Sequence, residues 1–171
     1  KPYPDKEKMR YYFLSITITC IVAQENPFFP NEIVSLTGEL IAIEKLARNK
    51  TVCIITVKSA QCPVCREQLV RVKEKLHEFS TCNLTFLVLA PGDHGDIHAM
   101  KKSTEFPFPF ISNDQYAIAE KCGLVRDDNQ LMPAVFILNP DLSIRWIQRG
   151  RSSGFYSDEM LIDYLDCGNW I

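Results

Sequence analysis

A β-branched run at residues 51–57, Thr-Val-Cys-Ile-Ile-Thr-Val, leads through Lys58-Ser59-Ala60-Gln61 to Cys62-Pro63-Val64-Cys65. Such a run, bounded by polar residues, predicts a buried strand. Residues 65–79 then carry Leu69, Val70, Val72, Leu76 and Phe79 among charged side chains, the pattern of an amphipathic helix. A second apolar run at 83–90 ends at Pro91-Gly92 and reads as another buried strand. Strand, helix, strand in this order makes a right-handed crossover between parallel strands, with the cysteine pair at its first junction.

The remaining sequence extends that unit. Thr37-Gly38 marks a turn between the short apolar stretches 33–36 and 40–43. Residues 93–102 are polar and weakly patterned, and with Gly95 after Pro91-Gly92 they read as a solvated loop. In Phe106-Pro107-Phe108-Pro109-Phe110 each proline restricts the residue before it, which excludes helix; the three phenylalanines read as core anchors. Residues 115–122 form a short helix closed by Gly123. Strands at 134–138 and 143–148 meet through Asn139-Pro140-Asp141, a type I turn sequence that makes an antiparallel hairpin. Ser157 caps a last helix reaching about residue 165. The expectation is an α/β fold, a mixed central sheet flanked by helices.

At the N-terminus, Leu14, Ile16, Ile18 and Cys20 alternate with Ser15, Thr17 and Thr19. That period of two predicts a half-buried strand, so residues 1–25 are read as a β extension and 26–171 as the main domain. The competing reading is a signal-derived segment at 9–23, with a basic start, an apolar stretch and a small residue. The run is too short for a spanning helix, which takes roughly 20 apolar residues. A cytoplasmic protein with no membrane partner is expected, or one of a secretory compartment if residues 9–23 are signal-derived. The sequence motifs Asn49-Lys50-Thr51 and Asn83-Leu84-Thr85 fit the glycosylation pattern but lie at the mouths of expected core strands.

Net charge is −2 with no basic block, so no nucleic-acid partner is expected. With 7 glycines and no phosphate-cradling loop a nucleotide site has no support, and no cofactor is expected. An odd count of 7 cysteines argues against a fully stapled secreted scaffold.

The chemistry therefore falls on Cys62 and Cys65. Cysteines at this spacing at a helix start can close a small disulfide ring. The unpaired amides and dipole of the helix N-terminus stabilise a thiolate on the first sulfur, lowering its pKa from the free value of about 8.5. Pro63 suits the first helical turn, where its missing N–H costs nothing. Lys58 and Arg66 add positive charge. Cys62 is read as the nucleophile in an exposed turn and Cys65 as the less exposed resolving thiol. Half a zinc site, a buried apolar pair and a relic pair are the alternatives; no second closely spaced Cys/His pair follows to complete the first. Cys53 and Cys122 read as inert core fillers, and Cys20, Cys82 and Cys167 as candidate distal thiols. His94 and His98 would share one face if their segment were helical and could then bind a metal. His77 reads as a surface residue.

These residues resemble a known superfamily. The strand, Cys62-Pro63-Val64-Cys65-Arg66-Glu67, Met132-Pro133 before a strand and the hairpin at Pro140-Asp141 are similar to the thioredoxin fold. Residues 106–114 and Ala119-Glu120-Lys121-Cys122-Gly123-Leu124 resemble its alkyl hydroperoxide reductase and thiol-specific antioxidant branch, the peroxiredoxins and related thiol–disulfide reductases. The likeness covers about residues 26–165. It implies that Cys62 is the attacking cysteine and that Pro133 is a cis proline lying against the pair. It further implies that Met132 offers backbone hydrogen bonds to a partner's extended segment. Ser59 and Arg145 match the peroxide-holding hydroxyl and arginine of peroxiredoxins. Against the resemblance, Ile55 stands where peroxiredoxins have proline. Thr56 and Gln61 stand where thioredoxins have aspartate and tryptophan, so the usual proton acceptor for Cys65 is missing. The leading expectation is a thiol–disulfide oxidoreductase, acting on protein disulfides and served by an external thiol reductant. A thiol peroxidase acting on hydroperoxides comes second, and a scaffold without turnover third.

Overall fold

The computed structural model describes residues 29–111, 115–126 and 130–150 together with Leu161. A small antiparallel hairpin, β1 (Glu32–Val34) and β2 (Leu40–Ala42), precedes helix α1 (Ile43–Asn49). There follow β3 (Thr51–Thr56), α2 (Pro63–Glu74), β4 (Leu84–Leu89), α3 (His94–Thr104), β5 (Phe110–Ile111), α4 (Gln115–Lys121), β6 (Ala134–Leu138) and β7 (Ile144–Arg149). The main sheet has the order β5-β4-β3-β6-β7. β3, β4 and β5 run parallel, while β6 and β7 are antiparallel to their neighbours. This is the mixed α/β, thioredoxin-like sheet that the sequence predicts.

Alternation along the strands builds two apolar layers. Cys53, Ile55, Val57, Phe86, Val88, Val135 and Ile137 meet α2 and α3 through Cys65, Leu69, Val72, Ile97 and Met100. On the other face Val52, Ile54, Leu87, Leu89, Ala134 and Phe136 meet α1 and α4 through Ile43, Ala47, Ile118 and Ala119. Because both faces are covered, β3 reads as a continuous hydrophobic run. Phe106 and Phe108 pack on Phe86 with ring centroids 6.0 and 5.1 Å apart, so the Phe-Pro segment anchors the core as expected.

Turn chemistry also follows the sequence. Gly38 has φ +82° in the β1–β2 turn and Gly123 has φ +64° after α4, conformations open to glycine at no steric cost. In the β6–β7 hairpin the Leu142 N–H donates to the Asn139 carbonyl at 2.9 Å. The Asp141 carboxylate accepts from the Ser143 N–H and Oγ at 3.0 and 2.6 Å, which holds its pKa below the ordinary value.

Three expectations are corrected. Residues 93–102 are not a loop but the N-cap and most of α3: the Asp93 carboxylate caps the helix by accepting from the Asp96 N–H at 2.8 Å. An acid at the cap and another three residues on is a helix-start signal that outweighs Gly95. Residues 43–49, for which the sequence predicts no element beyond the apolar stretch 40–43, form α1, whose Ile43 and Ala47 lie one turn apart and are buried. The helix after the cysteine pair begins at Pro63 and ends at Glu74, not at 79. The predicted strand at 14–20 lies outside the described residues. So does the predicted helix at 157–165, except for Leu161, which is buried at 3% exposure.

Candidate active site

Cys62 and Cys65 are joined by a disulfide with Cα atoms 5.3 Å apart. Cys62 is the N-cap of α2: its backbone is extended at φ −66°, ψ 113°, and its Sγ accepts from the Cys65 N–H at 3.3 Å. Pro63 fills the first helical position. The sulfur of Cys62 thus faces the unpaired amides of a helix start, as the sequence chemistry requires. Its exposure does not match the expected exposed turn. Cys62 is 8% exposed and Cys65 0%, so the pair is set into the apolar layer below α2, with Cys62 as its outer member.

The loop before Cys62 is held from two sides. Toward β4 and α3, the Val57 N–H donates to Leu89 O at 3.0 Å and the Ala60 N–H to Pro91 O at 2.8 Å. One residue further on, Gln61 Nε2 donates to Asp96 Oδ2 at 2.8 Å. Gly92, at φ +148°, lets the two loops approach: a Cβ there would come within 3.1 Å of the Ala60 side chain. From the helix side, Arg66 Nη2 donates to Ala60 O at 3.1 Å. Arg66 is thus the clamp of the cysteine loop, a role that its expected charge contribution to Cys62 did not include. Asp96, which with Asp93 flanks the His94 and His98 pair weighed as a metal site, was not expected to reach the cysteine loop. Its signal was available, since Asp93 and Asp96 together mark a helix start beside the β4 end.

Ser59 meets the pair through its backbone, its carbonyl accepting the Cys62 N–H at 3.1 Å. The other expected partners are not placed as the resemblance implies. No cis peptide occurs among the described residues, so the Met132–Pro133 bond is trans. The Met132 backbone is already engaged within the fold: its N–H donates to Leu124 O at 2.6 Å, and its carbonyl accepts from Thr56 Oγ1 at 2.9 Å. The Pro133 carbonyl is likewise bonded, to the Gly150 N–H at 2.8 Å. The Met132 side chain packs in the apolar layer of α1 and α4, not that of the cysteine pair.

Arg145 is at the wrong end of the sheet. The strand end that leads to Cys62 is Thr56, which pairs with Ala134, which in turn pairs with Arg149. Arg145 lies four residues away along β7, about 13 Å at the rise of a strand. Arg149, at the right level, is beside Cys122 on the opposite face, where its charge acts on that thiol.

Cys53 and Cys122 behave as apolar filler. Cys53 is fully buried, and burial pushes its thiol pKa far up; burial also pushes Cys122 up to about 11. Cys82, in a 3₁₀ turn before β4, is disulfide-bonded, while Cys20 and Cys167 lie outside the described residues. His94 and His98 do share one face of α3, ring centroids 5.9 Å apart. Among the described residues, however, no group of three or more His, Cys, Asp or Glu is arranged to hold a metal ion. Nor is any described helix long and apolar enough to cross a membrane.

A helix-capping cysteine pair at the end of a central parallel strand, in a mixed five-stranded sheet, defines a thioredoxin-fold protein of the thiol redox class. Within that class the AhpC/TSA family model matches residues 23–147, and the chain belongs to this family. A sequence comparison with curated proteins finds no match. Among solved structures, a cysteine-to-serine mutant of peroxiredoxin 6 of Arenicola marina superposes with a TM-score of 0.71 at 19% identity, covering 81% of this chain and 70% of that one. Peroxidoxin BcpB from Mycobacterium tuberculosis gives a TM-score of 0.67 at 16% identity, covering 82% and 92%. A yeast mitochondrial 1-Cys peroxiredoxin, described with a thiol resolving mechanism via glutathione and thioredoxin systems, gives 0.66 at 19%, covering 82% and 74%. At these identities the likeness is one of fold.

Proposed function

We propose that the protein is a peroxiredoxin-like thiol peroxidase in which Cys62 attacks a hydroperoxide and Cys65 resolves the product. The Cys62 thiolate attacks one peroxide oxygen, the O–O bond breaks, and the leaving oxygen takes a proton as an alcohol or water; Cys62 becomes a sulfenic acid. The Cys65 thiol then displaces the sulfenic oxygen as water, forming the disulfide. An external thiol reductant restores both thiols and is itself oxidised.

The observation that carries this reading is the Cys62–Cys65 disulfide at the N-cap of α2 within an AhpC/TSA fold. Cys62, the outer sulfur, suits a small oxidant, whereas the Met132 N–H is taken by Leu124 and not free to pair with a peptide. The test is stopped-flow oxidation of the reduced protein by hydroperoxide. A rate well above that of free cysteine, abolished in Cys62→Ser, is expected; a rate equal to free cysteine rejects peroxidase function.

Thiol–disulfide exchange with a protein or small disulfide is the second reading. It is favoured by Ile55 in place of the peroxiredoxin proline, and by the remote position of Arg145, which leaves the peroxide with fewer polar contacts. Reduction of insulin disulfides without peroxide reactivity would select it.

A further inference from the structure

We propose that Asp96 is a positioning residue for Cys62, acting through Gln61. The proposal rests on the reading of Cys62 as the reactive thiol and adds what holds it in register with its helix.

The loop between β3 and α2 must deliver Cys62 to the N-cap, where its sulfur meets the Cys65 N–H at 3.3 Å. A cap works only while the capping residue keeps its extended backbone against the first turn. Two backbone hydrogen bonds, from Val57 and Ala60, fix the loop up to Ala60. The next link is a side-chain one. Gln61 is exposed and directly precedes Cys62, and its amide donates to Asp96 Oδ2 at 2.8 Å. Asp96 is held in turn, since its N–H donates to the Asp93 cap and its residue lies in the first turn of α3. The bond needs a side-chain oxygen at residue 96 to accept from the Gln61 amide, and a carboxylate or an amide oxygen can serve. The chain of contacts therefore runs from the start of α3 to the residue that enters the start of α2. It leaves Cys62 with little freedom to swing away from the amides that stabilise its thiolate.

What the tether requires of residue 96 is an oxygen acceptor at that place. The variants Gln61→Ala and Asp96→Ala remove it from either side, and Asp96→Asn keeps the acceptor while removing the charge. Each is measured in two ways: the equilibrium of the Cys62–Cys65 disulfide with a glutathione redox buffer, and the rate at which iodoacetamide alkylates Cys62 in the reduced protein. Both alanine variants are expected to slow alkylation and shift the equilibrium toward the disulfide by about threefold to tenfold, the loss of one hydrogen bond. The double alanine variant should do no worse than either single one, because both break the same contact. Asp96→Asn should restore values close to wild type.

Unchanged alkylation and equilibrium in the alanine variants overturn the proposal, as does Asp96→Asn behaving like Asp96→Ala. Gln61 is exposed, so its replacement leaves the core intact, and an unfolding midpoint measured alongside confirms it. Neither constant involves a hydroperoxide. A protein inert to peroxide yet sensitive at Gln61 would reject the proposed reaction and keep the positioning role.

Discussion

The hydroxyl of Thr56 donates to the carbonyl oxygen of Met132 at 2.9 Å, joining the last residue of β3 to the segment that leads into β6. The same hydroxyl lies 3.2 Å from the Ala134 carbonyl. Thr56 is fully buried and occupies the position at which thioredoxins carry an acid. A threonine there can lock two strands together but cannot accept a proton from Cys65. The contact also holds the Met132 carbonyl toward β3.

Replacement of Thr56 by Val keeps the shape and removes the donor. The Met132 carbonyl is then left short of a partner, at a cost of about 1–2 kcal/mol. Urea denaturation is expected to show a lower midpoint with an unchanged slope. A midpoint equal to wild type would contradict the structural role.

Cys65→Ser removes the resolving thiol but not the nucleophile. With one equivalent of hydroperoxide this variant should accumulate a sulfenic acid on Cys62 that dimedone traps, seen as an adduct on the Cys62 peptide. Wild type should yield the disulfide and little adduct. Equal trapping in both proteins would mean that Cys65 does not resolve.

Arg145→Ala should leave the rate of Cys62 oxidation unchanged. Its place near the start of β7, far along the sheet from the Thr56 level, keeps it from the peroxide. A large loss of rate on this substitution would require the arginine to reach the site by another route.

Cys122 supplies a pH test of burial. Its thiol is raised from 9.0 to about 11, chiefly by desolvation, while Arg149 and Lys121 act in the lowering direction. A thiol raised in the folded state adds stability that is complete below the unfolded value and is lost as pH climbs through the folded one. The stability difference between wild type and Cys122→Ala should therefore move against wild type between pH 9.0 and about 11. A difference independent of pH in that window would show that the thiol is not desolvated.

The order of elements around the cysteine pair was legible because each depends on local pattern. Residues 51–57 are apolar on both faces, Pro63 starts a helix, and Asn139-Pro140-Asp141 makes a turn, wherever they occur in a chain. The two missed helices had weaker signals: α3 is polar over much of its length and interrupted by Gly95, and α1 spans only Ile43–Asn49. The site was legible in its sulfurs and not in its surroundings. Cys62 and Cys65 announce their chemistry by spacing, whereas the Gln61–Asp96 contact joins residues 35 positions apart and exists only once β3 and β4 lie side by side. Arg145 failed for a related reason: a position on a strand says nothing about level until the register with Ala134 and Thr56 is fixed. For Met132 and Pro133, resemblance identified the segment, but the backbone bonds to Leu124, Thr56 and Gly150 decide what it can do.

The most direct test of the account is the thiol balance of a single turnover. Reduced protein, with Cys53 and Cys122 shielded by burial, is mixed with one equivalent of hydroperoxide and mapped by peptide mass spectrometry. One peroxide should be consumed for each Cys62–Cys65 disulfide formed, with two thiols lost together. Cys62 carried on to the sulfinic acid while Cys65 remains a free thiol would contradict the account.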